Sequence, residues 1–192
     1  MARGRGKDAH GRANLRQEPG PATPPRFFEM LRALADHKAE FVLIGGFAVT
    51  LHGYVRTTKD IDVVPDSSLE NMTRLWETLA ELKARPVELD EFAATELPVP
   101  FTAEGFASGD ANWALYTTCG RIDVMRCVET ADGEIRYDEL RKRAERVDLD
   151  ELDGKPLYVA STGDLIAMKE HAGRDIDRID VTALRMAQGD EE

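Results

Sequence analysis

The chain has 192 residues, enough for one domain with a buried core, and its apolar fraction of 42% and charged fraction of 32% exclude a disordered or membrane-embedded protein. No apolar run approaches the roughly 20 residues that cross a bilayer, the N-terminus lacks a signal-peptide core, and Cys119 and Cys127 have no zinc-type partners nearby, so a cytoplasmic protein with no membrane partner is expected. The net charge of -11 disfavours broad binding to nucleic acid, although residues 1–16 set Arg3, Arg5, Lys7, Arg12 and Arg16 against Asp8 alone.

Residues 1–25 are rich in Gly, Pro, Arg and Ala and read as a disordered basic leader. Pro25 suits the first turn of a helix in which Phe27, Phe28, Leu31, Leu34 and Ala35 form one stripe. Phe41-Val-Leu-Ile44 reads as a buried strand ended by Gly45-Gly46, and 47–52 as the start of a helix. Residues 60–64 form a second strand, stopped by Pro65. Ser67 and Glu70 have capping-box spacing, opening a helix with the stripe Leu69, Met72, Leu75, Trp76 and Leu79. Residues 85–110 hold three prolines and read as strand pieces and loop. Residues 114–118 and 122–128 read as a hairpin turning at Cys119-Gly120, and 137–146 as a charged helix. Asp153-Gly154 marks a turn and 157–159 a short strand. Ser161 caps a further helix that Gly173 ends, and 177–187 is the last helix. This order predicts an α/β (α+β) chain: a mixed β-sheet with packed helices over 26–150, then a C-terminal helical segment over 151–192 packed on it.

Two features of the stretch from Ile44 to Val64 carry chemistry. Gly45 and Gly46 lie where a buried strand gives way to a helix, so the backbone can turn sharply and a phosphate can approach unpaired N–H groups. Asp60 and Asp62 alternate on a strand and share one face, while Ile61 and Val63 point into the core. Two carboxylates on one face repel unless the strand is a solvated edge or a divalent cation such as Mg²⁺ lies between them. Asp123 interrupts the apolar pair Ile122 and Val124, which is costly unless the residue is exposed on the hairpin or liganded. Arg56 and Lys59 read as phosphate contacts or plain surface cations. His52 reads as packed or hydrogen-bonded rather than a base, Trp76 as core, and Trp113 as core or a base-stacking ring. No nucleophile is assigned to either cysteine.

Ile44-Gly45-Gly46, the thirteen residues 47–59 and Asp60-Ile61-Asp62-Val63 together resemble the signature of the DNA polymerase β-like nucleotidyltransferase superfamily. The resemblance implies the minimal nucleotidyltransferase fold and transfer of NMP from an NTP to an acceptor hydroxyl with Mg²⁺ or Mn²⁺. It further implies that Asp60 and Asp62 hold the nucleotide-bound ion and that Asp123 completes a second ion site. Gly45 and Gly46 would cradle the triphosphate. Residues 165–180, with Arg56-Thr-Thr-Lys59 before the first aspartates, are similar to the abortive-infection nucleotidyltransferase toxins and related stand-alone enzymes. That narrower likeness implies a phosphate contact from Lys169, with Asp177 or Asp180 at the rim of the site. Asp175-Ile176 replaces the Pro-Lys frequent in that family. Two versions follow: a toxin acting on an RNA end, above all tRNA, or on a protein, with an antitoxin as partner; or an enzyme that modifies a small molecule, as antibiotic-adenylylating enzymes do. A catalytically silent nucleotide-binding module is the third reading.

Overall fold

The structure, a computed structural model, describes residues 25–87 and 101–189. The expected leader, apart from Pro25, and residues 88–100 of the segment expected to be irregular lie outside it. In chain order the elements are α1 (Phe27–Asp36), β1 (Phe41–Ile44), α2 (Gly45–Leu51), β2 (Asp60–Pro65), α3 (Leu69–Glu81), β3 (Arg85–Pro86), α4 (Ala103–Ser108), β4 (Trp113–Thr117), β5 (Gly120–Val124), β6 (Val128–Thr130), β7 (Gly133–Ile135), α5 (Tyr137–Arg143), β8 (Glu145–Asp148), β9 (Pro156–Val159), α6 (Thr162–Ala172) and α7 (Asp175–Gln188). Strands β6 and β7 form a small hairpin apart. The other seven make one mixed sheet in the order β3-β4-β5-β2-β1-β9-β8. Within it β2 runs antiparallel to β1 and parallel to β5, while β9 runs parallel to β1. A mixed α/β sheet with packed helices is therefore the architecture of this chain.

The two central strands follow from their composition. All four residues of β1 are buried, as a continuous apolar run next to the sheet's middle must be. In β2 the alternation is strict at its start: Ile61 and Val63 are fully buried, and Asp60 and Asp62 are half-buried on the other face. On α1 the buried residues are Met30, Leu31 and Leu34, and Arg26, not Pro25, is the residue that precedes the helix. Trp113 and Leu115 of β4 and Ile122 and Val124 of β5 face the core. There Trp76, Phe101, Phe106 and Trp113 form an aromatic cluster with ring centroids 5.0–6.1 Å apart. Trp113 is thus a core residue and has no free face for a base.

Several local expectations shift. The cap of α3 is Ser68, whose hydroxyl accepts from the Asn71 N–H, not Ser67. Leu69 then falls on the exposed side, and the inward stripe is Met72, Leu75 and Leu79. The helix expected over 137–146 ends at Arg143, and Glu145–Asp148 becomes strand β8 because β9 offers it a free edge to pair with. Within 85–110 a short helix, α4, is capped by Thr102 accepting from the Gly105 N–H. The hairpin of β4 and β5 is as expected, with Thr117 paired to Gly120, though β5 ends at Val124. Ser161 accepts from the Asp164 N–H at the start of α6, and Gly173 ends that helix at φ 64°. Among the described residues no helix is long and apolar enough to cross a membrane.

Candidate active site

Strand order brings the carboxylates together. In the parallel pairing of β2 with β5, Asp62 lies opposite Asp123 and Asp60 opposite Arg121. Cross-strand partners share a face, so Asp60, Asp62 and Asp123 crowd one patch on the side of the sheet away from Ile61, Ile122 and the core. On the other flank Asp62 lies opposite Ile44, the last residue before the two glycines. Gly45 takes φ 68°, a left-handed backbone that favours glycine. A β-carbon there would come 2.6 Å from the Asp62 Cγ, so only glycine lets the turn pass this close to the carboxylate. The Gly46 N–H donates to Asp62.

Burial pushes the Asp62 carboxyl up to about 7; the charges of Asp60 and Asp123 push the same way, and Lys169 and the Gly46 N–H only partly oppose them. This is the electrostatic signature of a centre short of positive charge. Its donors are hard oxygens, which suits Mg²⁺ or Mn²⁺. The residues fit such an ion, yet among the described residues no three acidic, His or Cys side chains are already gathered to hold one. Asp123 is engaged by Arg121, whose guanidinium grips both its oxygens at 2.9 and 2.8 Å. Thr58 steadies the other strand: its hydroxyl donates to the Asp60 backbone oxygen at 3.2 Å.

The basic residues divide. A β-carbon on Gly46 would lie 2.9 Å from the Arg56 Cζ, so this guanidinium rests on the diglycine turn. Its Nε sits 3.1 Å from Asp180. Lys59 is exposed at the start of β2. Lys169 is not a free cation: it is buried, with Nζ 3.1 Å from Asp177 and 2.7 Å from Asp180. Asp177 and Asp180 are fully buried, which corrects their expected place at a rim. Asp177 also takes a 2.6 Å contact from Arg174, the residue preceding α7. A buried ion cluster therefore ties α6 and α7 to the loop before β2, and the charge of Lys169 reaches Asp62. His52 hydrogen-bonds the Ala160 carbonyl at 2.8 Å and is a structural residue, as expected.

Arg121 and Thr58 were given no role by the sequence, and Arg174 stood there only as part of the segment 165–180 that resembles the toxins. The signal for Arg121 was available, because the rule that puts Asp60 and Asp62 on one face puts 121 beside 123 as well. Arg174 and Asp177 have the spacing of a helix-start pair: the Asp177 carboxylate accepts from the Arg174 N–H at 3.2 Å.

The architecture is that of the nucleotidyltransferase fold. Its likeness extends to solved structures of antibiotic-modifying enzymes. One is the lincosamide antibiotic adenylyltransferase LnuA with lincomycin bound, at a TM-score of 0.55 and 16% identity over 86% of this chain and 98% of that one. Another is ANT(2")-Ia in complex with adenylyl-2"-tobramycin, at a TM-score of 0.51 and 15% identity over 84% of this chain and 87% of that one. At such identities the likeness establishes the fold. No protein-family model and no curated protein matches the chain.

Proposed function

We propose that this chain is a metal-dependent nucleotidyltransferase that moves NMP from an NTP to a hydroxyl of a small, antibiotic-like molecule. The observation that carries the reading is the register of β2 and β5, which puts Asp62 beside Asp123 one strand from the diglycine turn. In this reading Asp60 and Asp62 hold Mg²⁺ or Mn²⁺ with the nucleotide, and Asp123 serves the acceptor side. Ions held by these carboxylates would supply charge neutralisation at the transferring phosphate. The chain itself contributes positioning. Backbone N–H groups at Gly45 and Gly46 and the Arg56 guanidinium meet the phosphates, Lys59 stands at the exposed side, and Lys169 moderates the charge on Asp62. An aspartate at 123 accepts the proton of the incoming hydroxyl. Such chemistry is mostly electrostatic, and the residues present are those it requires.

A small acceptor is preferred to RNA on two grounds. The fold is shared with enzymes whose structures hold lincomycin and adenylyl-2"-tobramycin. The net charge of -11 also opposes a polyanionic acceptor. The toxin reading, with an antitoxin partner and tRNA or protein as acceptor, retains one observation: Lys169, Arg174, Asp177 and Asp180 meet in a single cluster, in the order the likeness to those toxins implies. One assay separates the readings. The protein is incubated with each labelled NTP and Mg²⁺, then with lincosamides and aminoglycosides, or with total RNA. Label on a small molecule, absent with Asp62→Ala, is the expected result. Label on RNA alone would replace it with the toxin reading, and nucleotide binding without transfer would make the chain a silent module.

A further inference from the structure

Asp123 is not a free carboxylate. Arg121 brings Nε to 2.9 Å from Oδ1 and Nη2 to 2.8 Å from Oδ2, a two-pronged, charge-assisted clamp. The clamp is local to β5, where positions 121 and 123 share a face. The sheet register also sets Arg121 opposite Asp60, whose charge acts on the guanidinium from the neighbouring strand. The side chains of Arg121 and Asp123 are 36% and 23% exposed, so solvent and a ligand can both reach the pair.

We propose that Arg121 is the resident cation of this centre: it neutralises Asp123 in the ion-free protein and must release it before the second ion site can form. The inference rests on the nucleotidyltransferase reading and adds an order of events to it. With the clamp closed, the centre presents Asp60 and Asp62 alone. A triphosphate is the natural rival for the guanidinium, because its oxygens match the same planar fork. Nucleotide then frees Asp123, and ion uptake there becomes conditional on nucleotide. The released arginine stays tethered beside the phosphates.

Binding of Mn²⁺, followed by electron paramagnetic resonance on the full chain, tests this. Wild type, Arg121→Gln and Arg121→Lys are titrated with and without a non-hydrolysable NTP analogue, correcting for Mn²⁺ held by the analogue alone. In the wild type the last Mn²⁺ should bind only with the analogue. In Arg121→Gln it should bind about tenfold more tightly without nucleotide, within the usual range of coupling between two sites. Arg121→Lys keeps the charge but loses the fork and should fall between the two; it also carries the test if the glutamine variant does not fold. Unchanged or weaker Mn²⁺ affinity in the variants, with analogue-dependent uptake intact in the wild type, overturns the gate and leaves the transferase reading in place. Absence of Mn²⁺ binding in every protein, even with the analogue, overturns both.

Discussion

At the scale of single residues, Asp62 shows how a site is held against the interest of the fold. It is half-buried, next to Asp60 along the strand and Asp123 across it, and its affinity for a proton is raised accordingly. Asp62→Asn removes that repulsion while keeping the shape and the acceptor oxygen for the Gly46 N–H. Urea denaturation in chelator should therefore show the variant about 1 kcal/mol more stable than the wild type. Its kcat/KM for NMP transfer should fall on the order of 10³-fold, as when a preorganised charge-stabilising group is lost. Far from the site, Tyr137 gives a clean pH signal. Burial and then the negative charge of Glu40 push its hydroxyl up to about 12. The folded state thus holds that proton more tightly than the unfolded chain does. Its contribution is fully present below about 10 and is lost as pH climbs through about 12. Absorbance at 295 nm should show a tyrosinate step near 12 in the folded protein that Tyr137→Phe lacks.

Between elements, the ion cluster of α6 and α7 is the joint on which the site leans. Asp177 and Asp180 are fully buried, and Lys169, Arg174 and Arg56 lie around them as ion-pair partners. Lys169→Met would strand negative charge in the interior, a change that typically costs about 3–5 kcal/mol. The lower end is expected here, since each aspartate keeps one arginine. Combining it with Asp180→Leu should restore part of the loss in the same urea experiment, because the charge left unpaired is then gone as well. The diglycine turn works by closeness instead. Gly45 has no tolerable side chain, because the Asp62 carboxylate fills the space a β-carbon would take.

For the molecule as a whole, the charge balance separates the two acceptor readings. A chain with net charge -11 should show no salt-sensitive association with RNA. Fluorescence anisotropy with a labelled tRNA at about 0.1 M salt should find no saturable binding, whereas steep weakening with added salt would return the RNA-end version to first place.

Much of this was written into short stretches of chain. Strand β1 was legible as an unbroken apolar run, β2 as alternating Asp, Ile, Asp and Val, and the ends of α6 as Ser161 and Gly173, because side-chain periodicity and caps act within a few residues. Strand β8 was not legible: Glu145, Arg146 and Asp148 suit an exposed helix, and only the free edge of β9 makes them a strand. Nor could the sequence say that Asp180 is buried, since its partner Arg56 comes from a loop far earlier in the chain. From its residues alone this protein had its two glycines, its three aspartates and the faces they occupy. That β5 lies beside β2 with Asp123 level with Asp62, and that Arg121 stands between that carboxylate and an incoming ion, was decided by tertiary pairing, because backbone hydrogen bonds between distant strands leave no periodic trace in either one.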